Sequence, residues 1–447
     1  MSLPRYAEYK DSGVDWLERV PAHWETVSLK WVCQRYSGGT PDKKRLDFWE
    51  EGTIPWLNSG AVNDGRIYEA SAFITQAAFE SSSAKWIPPK ALLMALAGQG
   101  KTKGMVAQLM FPATCNQSMA AIVPSDRTDA RCLYWWLVSN YQNIRNMAGG
   151  DLRDGLNLDL LGAIPCPLPP LDEQTNISTF LDRETAKIDT LIAEQEKLIA
   201  LLAEKRQATI SHAVTRGLNP DVPMKDSGVD WLGEIPEHWQ LIRLKFVVQS
   251  IEQGWSPQCE NFPVEFQDEW GVLKIGCVNG GVFQSSENKK LPPELEPRPE
   301  YALKKGDLLI SRANTRELVG SAAVVPSDFD NLMLCDKLYR LRLVESKCSP
   351  MFIAAYLGTP EARSQIELAA TGASSSMLNI GQSVIMDMLV PLPAIDEQRV
   401  ITAFIARESA RLVGLMGDSK LVVELLKERR SALIAAAVTG QIDVRNT

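Results

Sequence analysis

Histidine is scarce: His23, His212 and His238 are the only three in 447 residues. A site that moves protons through imidazole, or a zinc centre with nitrogen ligands, has little to draw on. Two of the three stand beside tryptophan, His23-Trp24 and His238-Trp239, without a recognisable nucleophile or metal partner. Packing at a junction is their expected role. The eight cysteines (Cys33, Cys115, Cys132, Cys166, Cys259, Cys277, Cys335 and Cys348) contain no Cys-x-x-Cys pair. They suggest neither zinc nor a disulfide framework, and a reducing cytoplasm suits them. No run approaches the ~20 apolar residues of a membrane span. The opening residues show no basic segment followed by an apolar one, so no signal peptide is expected. Surplus positive charge is missing as well. The net charge of −8 excludes a protein that coats nucleic acid by bulk electrostatics. It leaves room for a local patch, because residues 24–166 carry 14 Lys+Arg against 13 Asp+Glu, whereas 217–239 carry one Lys against five acids.

What is present is a duplication. Lys10-Asp-Ser-Gly-Val-Asp-Trp-Leu17 recurs unchanged as Lys225-Asp-Ser-Gly-Val-Asp-Trp-Leu232, an offset of 215. Pro21-Ala-His23-Trp24 meets Pro236-Glu-His238-Trp239, and Leu29-Lys30 meets Leu244-Lys245, at the same offset. The offset grows to 216 at Leu92-Leu93 and Leu308-Leu309, and to 224 at Pro167-Leu-Pro169 and Pro391-Leu-Pro393. At that last offset Asp172-Glu-Gln174 meets Asp396-Glu-Gln398, and Ala213-Val-Thr215 meets Ala437-Val-Thr439. Two copies with small loop insertions therefore make up nearly the whole chain.

Each copy has the same order. A flank ending in His-Trp precedes a segment rich in Gly, Pro and aromatics. Short apolar runs such as Ala91–Leu96 and Asp307–Ser311 read as strands, with helices over Arg131–Met147 and Ser349–Ala369. Then Pro-Leu-Pro opens a long heptad pattern. Ile177, Leu181, Ile188, Leu191, Leu198 and Leu202 follow 4/3 steps, with Glu184, Gln195 and Lys205 in the remaining seats. The second copy repeats them as Ile401, Ile405, Leu412, Leu415, Val422 and Leu426, with polar seats at the same places. A period of ~3.5 held this long is a coiled-coil seam. Asp172 is placed to cap the first helix or favour its dipole, and Gly414 and Gly417 weaken the second locally. Each helix is roughly 60 Å long at ~1.5 Å per residue, and each finds its partner in the other copy.

The expected fold is therefore α+β: two α/β domains joined by two long antiparallel coiled-coil helices with internal pseudo-two-fold symmetry. The division is 1–165 (first head with its flank), 166–218 (central helix), 219–390 (second head with the repeated flank) and 391–447 (C-terminal helix). Unlike heads on matched flanks and helices suit a fixed scaffold carrying two different readers.

The flanks Lys10–Trp24 and Lys225–Trp239 are joined by the Ser37-Gly-Gly-Thr-Pro41 turn, followed by Ile54-Pro-Trp-Leu57, and by the Pro-Leu-Pro…Asp-Glu-Gln helix starts. In this order, repeated, they resemble type I restriction-modification specificity subunits over essentially the full chain. The resemblance implies non-catalytic, sequence-specific recognition of a bipartite target in double-stranded DNA by two target-recognition domains. It implies two methyltransferase (modification) subunits docked on the helices and separate restriction/translocase subunits. No cofactor is expected on this chain; S-adenosylmethionine, ATP and Mg2+ belong to those partners. The chain has no Asn-Pro-Pro-aromatic motif and no Gly-x-Gly-x-x-Gly loop of its own. Where the first head has Gly38-Gly-Thr-Pro41, the second departs to Gln253-Gly-Trp-Ser-Pro257.

Candidate DNA contacts follow from residue type. Gly39, Thr40, Lys43, Lys44 and Arg45 form a turn with a basic tail suited to phosphates. Gln99, Lys101 and Lys103, and in the second head Arg312, Asn314 and Arg316, follow apolar runs; Arg pairs with guanine, and Asn or Gln with adenine, in the major groove. Asn116, Gln117, Lys337, Gln253, Ser256, Arg153, Ser374 and Ser375 complete the set on polar loops. Ordinary surface turns account for the same residues. Two other functions compete: a two-headed coiled-coil protein adaptor without DNA reading, and a nucleotide-binding loop at Ala95–Thr102. The latter lacks the first glycine of a P-loop and has Gly104 and Pro112 where a helix should follow.

Overall fold

The computed structural model describes residues 4–98, 101–147, 155–266, 268–374 and 377–445. They form two units: one contains the chain up to Glu196 together with Leu421 onward, the other Lys197–Lys420. Both boundaries fall within the long helices Leu171–Arg216 and Ile395–Val438, so each unit takes part of both.

In the first unit the flank is a hairpin, Tyr9–Asp11 against Arg19–Pro21. The main sheet has the order Cys33–Ser37, Met119–Pro124, Leu92–Ala95, Val106–Leu109, Arg66–Ile67, antiparallel except for the last pair. Its central strands read as unbroken apolar runs because both faces are covered. Leu92, Met94, Ala120 and Ile122 point into one core, while Leu93, Ala95, Met119 and Ala121 point into another. A three-stranded sheet, Thr114–Cys115, Ile54–Leu57, Ala72–Ile74, lies beyond. The strand after Trp24, Glu25–Ser28, pairs with Pro165–Leu168 just before the helix starts.

The second unit repeats this frame. Met224–Asp226 pairs with Glu234–Pro236, and Gln240–Arg243 with Leu389–Leu392. Its main sheet runs Val248–Gln253, Leu338–Leu343, Leu308–Ser311, Ala322–Val324. Again alternate residues serve two cores, Leu308 and Ile310 on one side, Leu309 and Leu338 on the other. A second sheet, Asn288–Lys290, Gly271–Leu273, Phe329–Met333, Ala302–Leu303, and a three-stranded one, Ala313–Asn314, Met377–Asn379, Thr371–Ser374, complete it. Each of the two expected head helices is broken in two: Ala130–Ser139 from Tyr141–Asn146, and Pro350–Leu357 from Pro360–Ala369. In the second head Pro360 cannot continue a helix, and the Thr359 hydroxyl caps the new one through Ala362 N at 3.3 Å.

The long helices run antiparallel within each unit. In the first, Ile177 and Leu181 share a core with Ile434 and Val438, and Arg430 Nε donates to Asp189 Oδ1 at 2.8 Å. In the second, Ala213 and Val214 share a core with Ile401. The expected seam needs a correction. Leu191, Leu198, Leu415 and Val422 are 46, 40, 43 and 39% exposed, whereas the following residues, Ile192, Ile199, Met416 and Val423, turn inward. Ile177, Leu181, Ile188, Leu202, Ile401, Ile405, Leu412 and Leu426 keep their inward seats. The inward stripe follows the ~3.6 period of a straight helix, and a strict ~3.5 repeat drifts from it by ~20° per heptad. Gly414 and Gly417 do not interrupt the second helix.

A clasp, present twice, fixes each head to its helix start. Trp24 Nε1 donates to Glu173 Oε2 at 2.9 Å, and His23 Nε2 lies 2.9 Å from the same oxygen. Trp239 Nε1 donates to Glu397 Oε1 at 3.1 Å, with His238 Nε2 at 2.9 Å from Oε2. The next residue bridges three backbone groups: Gln174 accepts from Asp129 N at 2.7 Å and donates to Arg127 O and Pro169 O. Gln398 accepts from Ser349 N at 2.8 Å and donates to Lys347 O and Pro393 O. The Glu and Gln of Asp-Glu-Gln thus do the binding, while Asp172 is exposed in the first turn. Over each tryptophan sits the end of the other copy's helix. Gly440 (φ +73°) meets Pro21 and Trp24, and Gly217 (φ +77°) meets Pro236 and Trp239.

Candidate nucleic-acid interface

Two close backbone approaches build the head tips. A Cβ on Gly38 would stand 1.9 Å from Cys115 O, and one on Gly254 would stand 1.9 Å from Leu334 O. Only glycine fits there, so the loop after the first sheet strand is pressed against the loop leading into the neighbouring strand in both heads. Gly39 N donates to Cys115 O at 2.9 Å, and Gly254 N to Cys335 O at 3.2 Å. Burial pushes the Cys115 thiol up to about 12, so it is a packing group rather than a nucleophile.

In the first head this approach joins Thr40 to Gln117, whose amide oxygen accepts from the Thr40 hydroxyl. Gly39 itself is buried, its carbonyl accepting from Trp56 Nε1 at 3.0 Å. Lys43 and Lys44 are exposed beside it. Arg45 is engaged locally: it pairs with Asp47 at 2.5 Å and covers the Phe48 ring at 4.0 Å. That hydrogen bond holds the Asp47 carboxyl below its usual range. Asn116 closes its own turn, its Oδ1 accepting from Ser118 N at 3.1 Å. Lys101 is exposed, with its carbonyl tied to Tyr141 OH at 2.6 Å. Lys103, expected as a surface contact, is 5% exposed because Gly104 folds the loop back, its N donating to Ala95 O and its Cα facing Ile144 and Arg145. A strand, Val106–Leu109, follows this loop, which removes the P-loop reading. Gln99 and Arg153 lie outside the described residues.

In the second head four of the candidates converge on Asp336. Gln253 Nε2 and Arg312 Nη1 donate to its carbonyl at 3.0 and 3.2 Å. Ser256 Oγ accepts from its backbone N at 3.2 Å, and Lys337 Nζ stands 3.7 Å from Oδ2. Its Oδ1 is buried without a partner. Asn314 is also corrected. It is 6% exposed and its side chain closes a turn, donating to Ser311 Oγ and accepting from Thr315 N. Arg316 is exposed. Ser374 ends a strand paired with Met377, its side chain being undescribed, and Ser375 lies outside the described residues.

The two tips thus share a backbone frame and differ in side chains: hydroxyl, amide and exposed lysines in one; carboxylate, arginine, amide and lysine in the other. None of the described helices is long and apolar enough to cross a membrane. Comparison with known proteins gives a consistent result. Residues 21–200 match the type I restriction modification DNA specificity domain. The chain is 28% identical over 297 residues to the EcoEI type I restriction enzyme specificity subunit of Escherichia coli, covering 66% of this chain and 49% of that protein, so the match spans about half the relative's length. It is 24% identical over 439 residues to the MjaVIII specificity subunit of Methanocaldococcus jannaschii, covering 96% and 95%. Among solved structures, a chain from a type I R-M system, studied for its complex assembly and conformational transition, superposes with a TM-score of 0.70 at 18% identity, covering 94% and 98%. That likeness shows the fold. By motif order, matched domain and fold, the chain is similar to the type I restriction-modification specificity subunits.

Proposed function

We propose that this chain is the sequence-reading, non-catalytic subunit of a type I complex. The observation that carries the reading is the contrast between scaffold and tips. The clasp, the flanks and the helix starts are built from matching residues, whereas the first head has Thr40 and Gln117 where the second has Gln253, Arg312, Asp336 and Lys337. A frame built twice with unlike polar tips suits two different half-sites in double-stranded DNA. Thr40, Lys43, Lys44, Lys101 and Gln117 serve the first half-site; Gln253, Ser256, Arg312, Arg316 and Lys337 serve the second. With a net charge of −8, phosphate attraction comes in large part from partners. Those partners are two methyltransferase subunits, which bring S-adenosylmethionine and extrude the adenine, and restriction/translocase subunits, which use ATP and Mg2+. The complex works in the cytoplasm. A protein adaptor without DNA reading is not favoured, since the matched family domain is a DNA specificity domain.

The test is to express the chain with a methyltransferase subunit and map adenine methylation on random DNA. Methylation confined to one split motif is expected. A stable complex that modifies DNA without sequence preference overturns the reading.

A further inference from the structure

The two units differ at one internal place that the tips do not involve. In the first, Asp182 gathers three donors: Arg66 Nη2 at 2.7 Å, Arg131 Nε at 2.7 Å and Trp135 Nε1 at 2.9 Å. Trp135 is 2% exposed, Tyr134 packs on Gly65, and Arg430 lies over the Trp135 ring at 5.8 Å while bonded to Asp189. Asp182 pairs with both arginines through these atoms, while Arg66 Nε and Arg131 Nη1 are buried without a hydrogen-bond partner.

The Gln174 and Gln398 clasps fix the equivalence of the second unit. Asp129 corresponds to Ser349, so Arg131, Tyr134 and Trp135 become Met351, Ala354 and Ala355. At the helix offset of 224, Asp182 and Asp189 become Ala406 and Val413, while Arg430 corresponds to Arg206. Arg66 becomes Val282, next to the matched positive-φ glycines Gly65 and Gly281. Every large or acidic group is gone and the arginine remains. The result is a cavity of about 630 Å³ lined by Val282, Met351, Ala354, Ala355, Ala406 and Arg206. Arg206 Nε is buried there without a hydrogen-bond partner. A buried unpaired donor of this kind is destabilising, the more so when charged. The other arginine in the wall, Arg363, is bonded to the carbonyls of Val319 and Glu317, and the Glu317 carboxylate is held by Thr315. Two apolar residues of its wall are exposed, Val282 at 60% and Met351 at 53%.

We infer that this cavity is a receptor for an aromatic side chain with a neighbouring carboxylate, supplied by a protein partner of the complex. The first unit states the occupant's chemistry, because it fills the same space with a tryptophan ring and places one acid, Asp189, on the equivalent arginine. The exposed apolar wall residues Val282 and Met351 suit a protein segment rather than an isolated small molecule. The choice of a methyltransferase subunit as that partner rests on the proposed function. In the first unit Arg66, Arg131 and Trp135 occupy this joint, so the two methyltransferase copies are anchored unequally.

The test uses the full chain and indole-3-acetate as the probe, with tryptamine as its cationic counterpart. Saturable binding of indole-3-acetate is expected, at least tenfold tighter than tryptamine. Ala355→Trp combined with Ala406→Asp, which copies the first unit's filling, and separately Arg206→Met, should each weaken it tenfold or more. Both variants should also weaken capture of the methyltransferase subunit. Absence of saturable binding, or wild-type binding in Arg206→Met, overturns the assignment. So does unchanged methyltransferase affinity in both variants, which leaves a small-molecule cavity only. Weakened assembly with an unaltered methylation motif supports the receptor and leaves the proposed function standing; loss of sequence preference in the wild-type complex counts against the proposed function alone.

Discussion

Trp24 donates its indole proton to Glu173 across 149 residues of chain, and the carboxylate that accepts it is almost fully buried. His23 and, at 3.6 Å, Arg445 face the same carboxylate. In the second unit Glu397 plays the part of Glu173 with its side chain 33% exposed.

That difference predicts unequal costs. Glu173→Ala should destabilise the protein by about 2–4 kcal/mol, since it leaves buried donors unpaired. Glu397→Ala should cost about 1 kcal/mol, because water reaches its partners. Urea unfolding followed by tryptophan fluorescence measures both; equal losses would contradict the burial difference.

The seam makes a prediction from two adjacent valines. Val423 is 5% exposed and Val422 39%. Val423→Lys should cost about 2–4 kcal/mol by placing an unpaired charge in the stripe, and Val422→Lys about 0.5 kcal/mol or less. Thermal melts of the two variants decide between the straight-helix stripe and the strict heptad, which demands the reverse order.

How much of this was legible follows from particular residues. The duplication, the strands at Leu92 and Leu308 and the long helices were readable, because burial on both faces or along one stripe leaves a periodic trace. The Leu191-for-Ile192 error arose because neighbouring apolar residues offer two phases, and only packing selects one. Lys103 and Asn314 looked like surface contacts by residue type; a fold-back at Gly104 and a local turn at Thr315 buried them. The role of Glu173 and Gln174 was hidden because their partners lie far away in sequence.

Acid should weaken a further contact. Arg445 grips Asp443 through Nε and Nη2 at 2.9 and 2.6 Å, and this pairing holds the carboxyl below its usual range. A depressed carboxylate contributes stability above its unfolded pKa of ~3.9 and loses it as pH falls through the folded value. The stability gap between wild type and Asp443→Asn should therefore stay level from pH 8 to about pH 5 and close below about pH 4. Denaturation curves over that range test it; a gap that widens in acid would reverse the sign.

Reader independence predicts the outcome of an exchange. Replacing residues 25–165 with the corresponding segment of another specificity subunit should change one half of the methylated motif and preserve the other. Methylation mapping of the hybrid complex reads this directly, and a change in both halves refutes separate heads.

Gly440 and Gly217 each close over a tryptophan belonging to the opposite repeat. A side chain at Gly440 would collide with Pro21 about 420 residues earlier, 2.3 Å from where its Cβ would stand. Damage to the tail of one repeat is thus suffered by the head of the other. The two copies are bound to a shared fate in their framework, so neither can change its packing at these tryptophans alone.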